Sequence, residues 1–159
     1  MDDFPLAAAD LPLATQFAAW AMAEEVQRRI AAEGMGDLRF ADGVVFQHLV
    51  PGPLAISALG ERMGVTQQAA SKAVADLERR GYVERAAGAE DARVREISLT
   101  GRGRAAIEAG RRHRAGLQAE LAERLGPRRV EAARRLLVEA AAALGAEPAV
   151  RGRRVRPLL

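Results

Sequence analysis

The stretch from Ile56 to Leu99 constrains the fold more than any other part of the chain, because helix, turn and strand signals follow one another there without a gap. Ile56, Leu59 and Met63 share one face of a short helix, and Gly64 interrupts it. Val65 and Thr66 lead into a stronger helix over Gln67 to Arg80, with Thr66 placed to cap its free N–H groups and Gly81 placed to stop it. Tyr82 to Arg85 and Val94 to Leu99 read as two short strands. Between them, Ala86 to Arg93 has small and polar side chains and reads as a hairpin loop.

The flanks read as helical. Residues 1 to about 12 contain Pro5 and Pro12 and form an irregular arm. From Leu13, apolar residues recur at Phe17, Trp20, Ala21, Met22, Val26 and Ile30, a helical spacing that ends at Gly34 and Gly36. That apolar arc is wide enough to need more than one packing partner. A short helix is expected over roughly 41–50, with Val44, Val45, His48 and Leu49 inward, stopped by Pro51-Gly52-Pro53. Thr100 can cap a long helix to about Leu125, Gly126-Pro127 breaks it, and a last helix runs from Arg128 to Leu144. Leu117, Leu121 and Leu125 form one stripe, and Val130, Ala133, Leu137 and Ala141 another.

A short helix, a glycine turn, a polar-faced helix and a hairpin, in that order, build a winged helix-turn-helix. The expected fold is therefore mainly α, with a two-stranded β-wing and a helical layer made by the N- and C-terminal helices. One domain is expected over 1–159: helices at 13–34 and 101–146, a winged lobe over 41–99, and a basic, flexible tail over 147–159.

Composition narrows the function classes. The chain has no cysteine, which excludes disulfides, thiolate metal sites and thiol-based redox sensing, and two scattered histidines make a metal site improbable. No paired-carboxylate motif or glycine-rich phosphate loop is present, so neither catalysis nor a cofactor is expected. No apolar run spans a bilayer and the start carries no basic signal region, which points to a cytoplasmic protein without a membrane partner. The net charge is only +3, and the arginines from Arg151 to Arg156 exceed it by themselves. Any nucleic-acid footprint must be local.

The Gln67 to Arg80 helix offers such a footprint. Ala70, Ala73, Val74 and Leu77 gather on one side, while Gln68, Ser71, Lys72, Ala75 and Arg79 gather opposite. Glutamine can pair with adenine, serine can read donors or acceptors, and lysine can meet guanine or a phosphate. Alone, the same face also fits the solvated side of an ordinary amphipathic helix. The ordered series around it favours DNA. A winged helix used only for protein contacts is the alternative, and it would be expected to carry acids or apolar residues on that face.

The run from Leu54 to Thr66, continuing Gln67-Gln68-Ala69-Ala70-Ser71-Lys72-Ala73-Val74-Ala75-Asp76-Leu77-Glu78-Arg79-Arg80-Gly81-Tyr82-Val83-Glu84-Arg85, resembles the MarR family of transcriptional regulators. Asp91-x-Arg93, with Leu99-Thr100-x-x-Gly103 behind it, resembles that family's wing signature. The resemblance implies that Arg93 enters the minor groove from the wing tip while Asp91 braces it, and that Arg95 meets phosphate. It gives Thr66, Gln67, Gln68, Ser71 and Lys72 base-edge or phosphate roles by position. It further implies a homodimer held by the terminal helices, which binds a pseudo-palindromic double-stranded operator as a ligand-responsive repressor. The effector would be a small aromatic or anionic molecule. Trp20, His48 and His113 are the pocket candidates, each joining an apolar setting to a polar handle, although a packed or solvent-edge role is the stronger reading for all three. The basic tail either follows DNA phosphates or is simply solvated.

Overall fold

The computed structural model describes residues 8–88 and 95–146. Asp91, Arg93, Val94 and the basic tail lie outside them. Asp10 opens the first helix, α1 (Leu11–Ile30), by accepting a hydrogen bond from the Leu13 N–H at 2.9 Å, and Pro12 sits in the first turn where its missing N–H costs nothing. A wider turn, Ala31–Met35, follows. After it come α2 (Asp42–Leu49), β1 (Leu54–Ala55), α3 (Ile56–Met63) and α4 (Gln67–Arg79), then the hairpin β2 (Val83–Ala87) and β3 (Arg95–Leu99), and finally α5 (Gly101–Leu125) and α6 (Pro127–Ala143). This is a mainly helical winged helix-turn-helix, as the order of signals predicts. No helix among the described residues is long and apolar enough to cross a membrane.

The turn between α3 and α4 is made by local chemistry. Gly64 takes φ +67°, and the N–H groups of Gly64 and Val65 return to the carbonyls of Glu61 and Gly60 at 3.1 and 3.0 Å. A residue with a Cβ is strained at that φ, which is why glycine ends α3. Two residues later Thr66 caps α4, its Oγ1 accepting from Ala69 N–H at 3.2 Å. Thr100 caps α5 likewise by accepting from Gly103 N–H at 3.0 Å.

Three details differ from the sequence reading. The sheet has three strands in the order β1-β3-β2, because Leu54–Ala55 adds to the wing hairpin antiparallel to β3, with Leu54 opposite Ile97. Ala86 and Ala87 belong to β2, paired with Glu96 and Arg95, and not to the loop. An exposed ladder needs backbone partners and no apolar side chains, so composition misplaced them. In α2, Phe46 is buried alongside Val45, His48 and Leu49, while Val44 is only half-buried.

Leu59, Val74, Leu77, Tyr82, Val83 and Ile97 are essentially inaccessible, and Val26 and Ile30 of α1 and Ala106 and Ala109 of α5 close the core from the other side. Each buried leucine contributes about 1.5–3 kcal/mol. The core therefore uses the last half of α1 and the first half of α5. Trp20, Leu136, Val138 and Leu125 are all at least half exposed, and α6 buries no residue at all.

An ionic clasp joins α1 to α5. Arg29 donates to Glu25 and, in a two-point fork, to Glu120, all at 2.7 Å. Hydrogen bonds from Arg28 and then Arg29 hold the Glu25 carboxyl down from 4.5 to about 2, and Arg29 also lowers that of Glu120. Because the folded values are depressed, the clasp contributes fully above about pH 4.5 and is lost as pH falls toward 2. Urea midpoints measured across this window should fall less steeply for Glu25→Gln than for the parent. Identical slopes would remove the clasp from the acid response.

Candidate nucleic-acid interface

Packing determines which side of α4 is free. Ala70 and Val74 are fully buried and Leu77 is 1% exposed, which turns Gln68, Lys72, Ala75 and Arg79 to solvent. Gln67, Gln68 and Lys72 are exposed near the start of the helix, Thr66 is exposed as its cap, and Ser71 is half-buried beside them. The first turn of α4 carries no acid, so the partial positive charge of its N-terminus is not offset there. Lys72 forms no ion pair among the described residues.

The other end of α4 is electrostatically different. Asp76 is bound by Arg80, Arg79 and Arg39, and Glu78 pairs with Arg85 at 3.2 Å. Charge is thus internally balanced at the C-terminal end and unbalanced at the N-terminal end. An anion meets an attractive field at Thr66 to Lys72, where side chains able to read base edges also stand. Arg95 opens β3, exposed and opposite Ala87, and would add a further cation on the wing. Asp91 and Arg93 fall outside the described residues.

The three pocket candidates sit in unlike surroundings. Trp20 is 54% exposed, with Phe17 edge-on to it at 5.7 Å. His48 is buried among the core residues of α2. His113 lies 2.7 Å from a Glu33 oxygen, and that carboxyl, held low by Arg112 and then His113, ties α5 to the turn after α1. Two open hollows of about 440 and 360 Å³ lie along α5 and α6 around Pro127 and Glu131, and none of the three candidates lines either.

Sequence reading missed a polar cluster at the far end of α4, formed by Arg80, Asp42, Asp76, Asp37, Tyr82 and Arg102. The i, i+4 spacing of Asp76 and Arg80 was a visible signal, but Asp37 and Asp42 are far from them in sequence.

Residues 44–94, which hold α2 from its third residue onward, α3, α4 and the first strand of the wing, match the MarR family. No curated protein matches the chain. Among solved structures, the YusO protein from Bacillus subtilis is 23% identical, covers 89% of this chain and 99% of its own, and superposes with a TM-score of 0.67. A MepR mutant from S. aureus bound to an oligodeoxyribonucleotide is 18% identical over 86% of this chain and 99% of its own, with a TM-score of 0.62. The transcriptional regulator Tm0710 from Thermotoga maritima gives 20% identity, 82% and 91% coverage, and a TM-score of 0.57. At these identities the likeness is one of fold, and it is the match over residues 44–94 that marks the chain as MarR-like, in the fold of the structures just named.

Proposed function

We propose that the chain is a sequence-specific, double-stranded DNA-binding transcriptional regulator that acts without catalysis. The observation that carries this reading is the separation of charge along α4: its acids are internally paired at one end, while Thr66, Gln67, Gln68, Ser71 and Lys72 stand at the other without a neutralising acid in the first turn. That N-terminal end enters the major groove, Arg93 reaches the minor groove from the wing, Asp91 braces it, and Arg95 meets phosphate. Support comes from the fold shared with a MepR mutant bound to an oligodeoxyribonucleotide.

The chain works as a homodimer in the cytoplasm. The first half of α1 and the whole of α6 leave Trp20, Leu136, Leu137 and Val138 accessible, an apolar surface that a second copy would cover. It represses by occupying a pseudo-palindromic operator and is released by a small aromatic or anionic effector bound between the helical layer and the winged lobe.

Selection of bound sites from random DNA tests the reading. The expected product is a two-fold symmetric motif with half-sites about one helical turn, roughly 34–36 Å, apart. No enrichment would turn the reading to a winged helix used for protein contacts. On the selected site, Lys72→Ala should weaken binding and flatten the salt dependence by about one unit of slope per subunit. An unchanged slope would remove Lys72 from the phosphate contacts.

A further inference from the structure

Arg80, at the C-terminal cap of α4, has a side chain only 10% exposed and uses all five of its guanidinium N–H donors. Nη1 donates to Asp42 Oδ2 at 2.7 Å and to the Asp37 carbonyl at 2.9 Å. Nη2 donates to Asp42 Oδ1 at 2.9 Å and Asp76 Oδ2 at 2.7 Å, and Nε donates to the same Asp76 oxygen at 3.0 Å. Asp42, the first residue of α2, and Asp37, in the connector before it, are further tied down. Asp42 Oδ2 accepts the Arg39 N–H at 2.8 Å, while Asp37 Oδ1 accepts the Tyr82 hydroxyl at 2.7 Å and Arg102 at 2.8 Å. Burial pushes the Asp76 carboxyl up, but the hydrogen bond and charge of Arg80, with the charges of Arg39 and Arg79, outweigh it and hold the group below its ordinary value.

One guanidinium therefore fastens the end of α4 to Asp42 at the start of α2 and to the backbone of Asp37 in the connector between the Ala31–Met35 turn and α2. Fork geometry fixes direction as well as distance, because two carboxylates and a carbonyl leave no rotation free. Gln67 stands thirteen residues before Arg80, about 20 Å along the helix at ~1.5 Å per residue. Over that lever a tilt of a few degrees moves the reading end by more than an ångström, beyond what a base-edge hydrogen bond tolerates.

We propose that Arg80 is a positioning residue, which sets the angle of α4 relative to the start of α2 and the connector before it, and so the geometry that α4 presents to DNA without touching it. The geometric part stands on the cluster alone, and its effect on DNA rests on the function proposed above. Both can be read separately. The chain has no cysteine, so nitroxides placed at Ala69→Cys, exposed near the reading end of α4, and at Ala115→Cys on α5 give a clean distance, with labelled protein diluted into unlabelled.

Arg80→Lys, which keeps the charge and loses the fork, is expected to shift or broaden that distance by about an ångström or more, the displacement that a tilt of a few degrees gives over this lever. Asp76→Asn, which leaves the Arg80–Asp42 pair intact, keeps the test open if the first variant folds poorly, and should broaden it less. On the selected operator, Arg80→Lys should lose about tenfold or more in affinity and its preference among operators with half-site spacing changed by one base pair. Its binding to random-sequence DNA should stay within about twofold, with the same salt slope. An unchanged distance distribution in both folded variants overturns the proposal whatever the DNA result. Equal losses on operator and random DNA also overturn it, since they indicate only a smaller folded fraction. If the parent protein enriches no DNA site, the proposed function fails and the label distance alone decides the role of Arg80.

Discussion

Replacing Gly103 by alanine should lower the melting temperature by roughly 10 °C, while the same change two residues earlier, Gly101→Ala, should leave it level or raise it. Gly103 lies in the first turn of α5, where its N–H donates to the capping Thr100 hydroxyl. A Cβ built there falls 2.2 Å from the Tyr82 carbonyl oxygen, 3.2 Å from the Tyr82 carbonyl carbon and 3.1 Å from Leu99 Cδ2. The obstacle is mostly backbone and cannot turn aside. That carbonyl also accepts the Thr100 N–H at 3.1 Å, and the Thr100 hydroxyl donates to the Gly81 carbonyl at 2.7 Å. Moving α5 away to make room breaks this corner and opens the packing around Tyr82, which is fully buried. Overpacking of this kind costs about 3 kcal/mol, and a chain of this length loses about 2–4 °C per kcal/mol. At Gly101 nothing lies within 4 Å, and alanine favours a helix over glycine by about 0.5–1 kcal/mol. Thermal denaturation followed by circular dichroism separates the two. A Gly103→Ala protein melting within 3 °C of the parent would show that the corner can relax.

The Gly103 case also shows what kind of information the sequence carried. Thr100 and Gly103 were readable as a cap and as part of a family-like wing signature, but the reason for the glycine, a helix end pressed on the α4–β2 corner, lies in tertiary structure. Elements bounded by strong local chemistry were legible: Gly64 and Thr66 bracket the turn before α4, and Gly126 with Pro127 separates α5 from α6. Elements held by partners distant in sequence were not. Leu54 and Ala55 become a strand only because β3 lies beside them, and Phe46 takes its place in the core through packing on Tyr82, with ring centroids 5.8 Å apart. The outer face of α4 was legible because it is the complement of a buried face, and periodicity finds buried faces. The Arg80 cluster was not, since its partners at Asp37 and Asp42 are 43 and 38 positions away and periodicity is blind beyond one element. Trp20, His48 and His113 stand out in the sequence as polar handles in apolar surroundings, a local signal that says nothing of where the fold puts them. The fold gives them an edge-on ring contact, a core position and a carboxylate partner respectively, three settings with no shared cavity wall in either hollow.

Gln68→Ala should produce the largest loss on DNA of any single exposed substitution, and a loss of a distinctive kind. Gln68 is exposed in the first turn of α4 on the side opposite Ala70, Val74 and Leu77, so its removal leaves the core untouched, and alanine is a better helix former than glutamine. The melting temperature should hold or rise slightly. If Gln68 pairs with a base edge, each copy contributes about 1–3 kcal/mol of discrimination. The proposed homodimer would carry the substitution twice, so the selected operator should lose roughly 2–6 kcal/mol, about thirtyfold or more in affinity, with tolerance appearing at one base pair in each half-site. Glutamine bears no charge, so random-sequence binding and the salt slope should be unchanged, the reverse of what Lys72→Ala should do. Titrations of both variants against operator and random DNA at several salt concentrations place each side chain. Operator affinity of Gln68→Ala within twofold of the parent would exclude it from base reading and pass that role to Gln67 or Ser71, its neighbours at the same end of the helix.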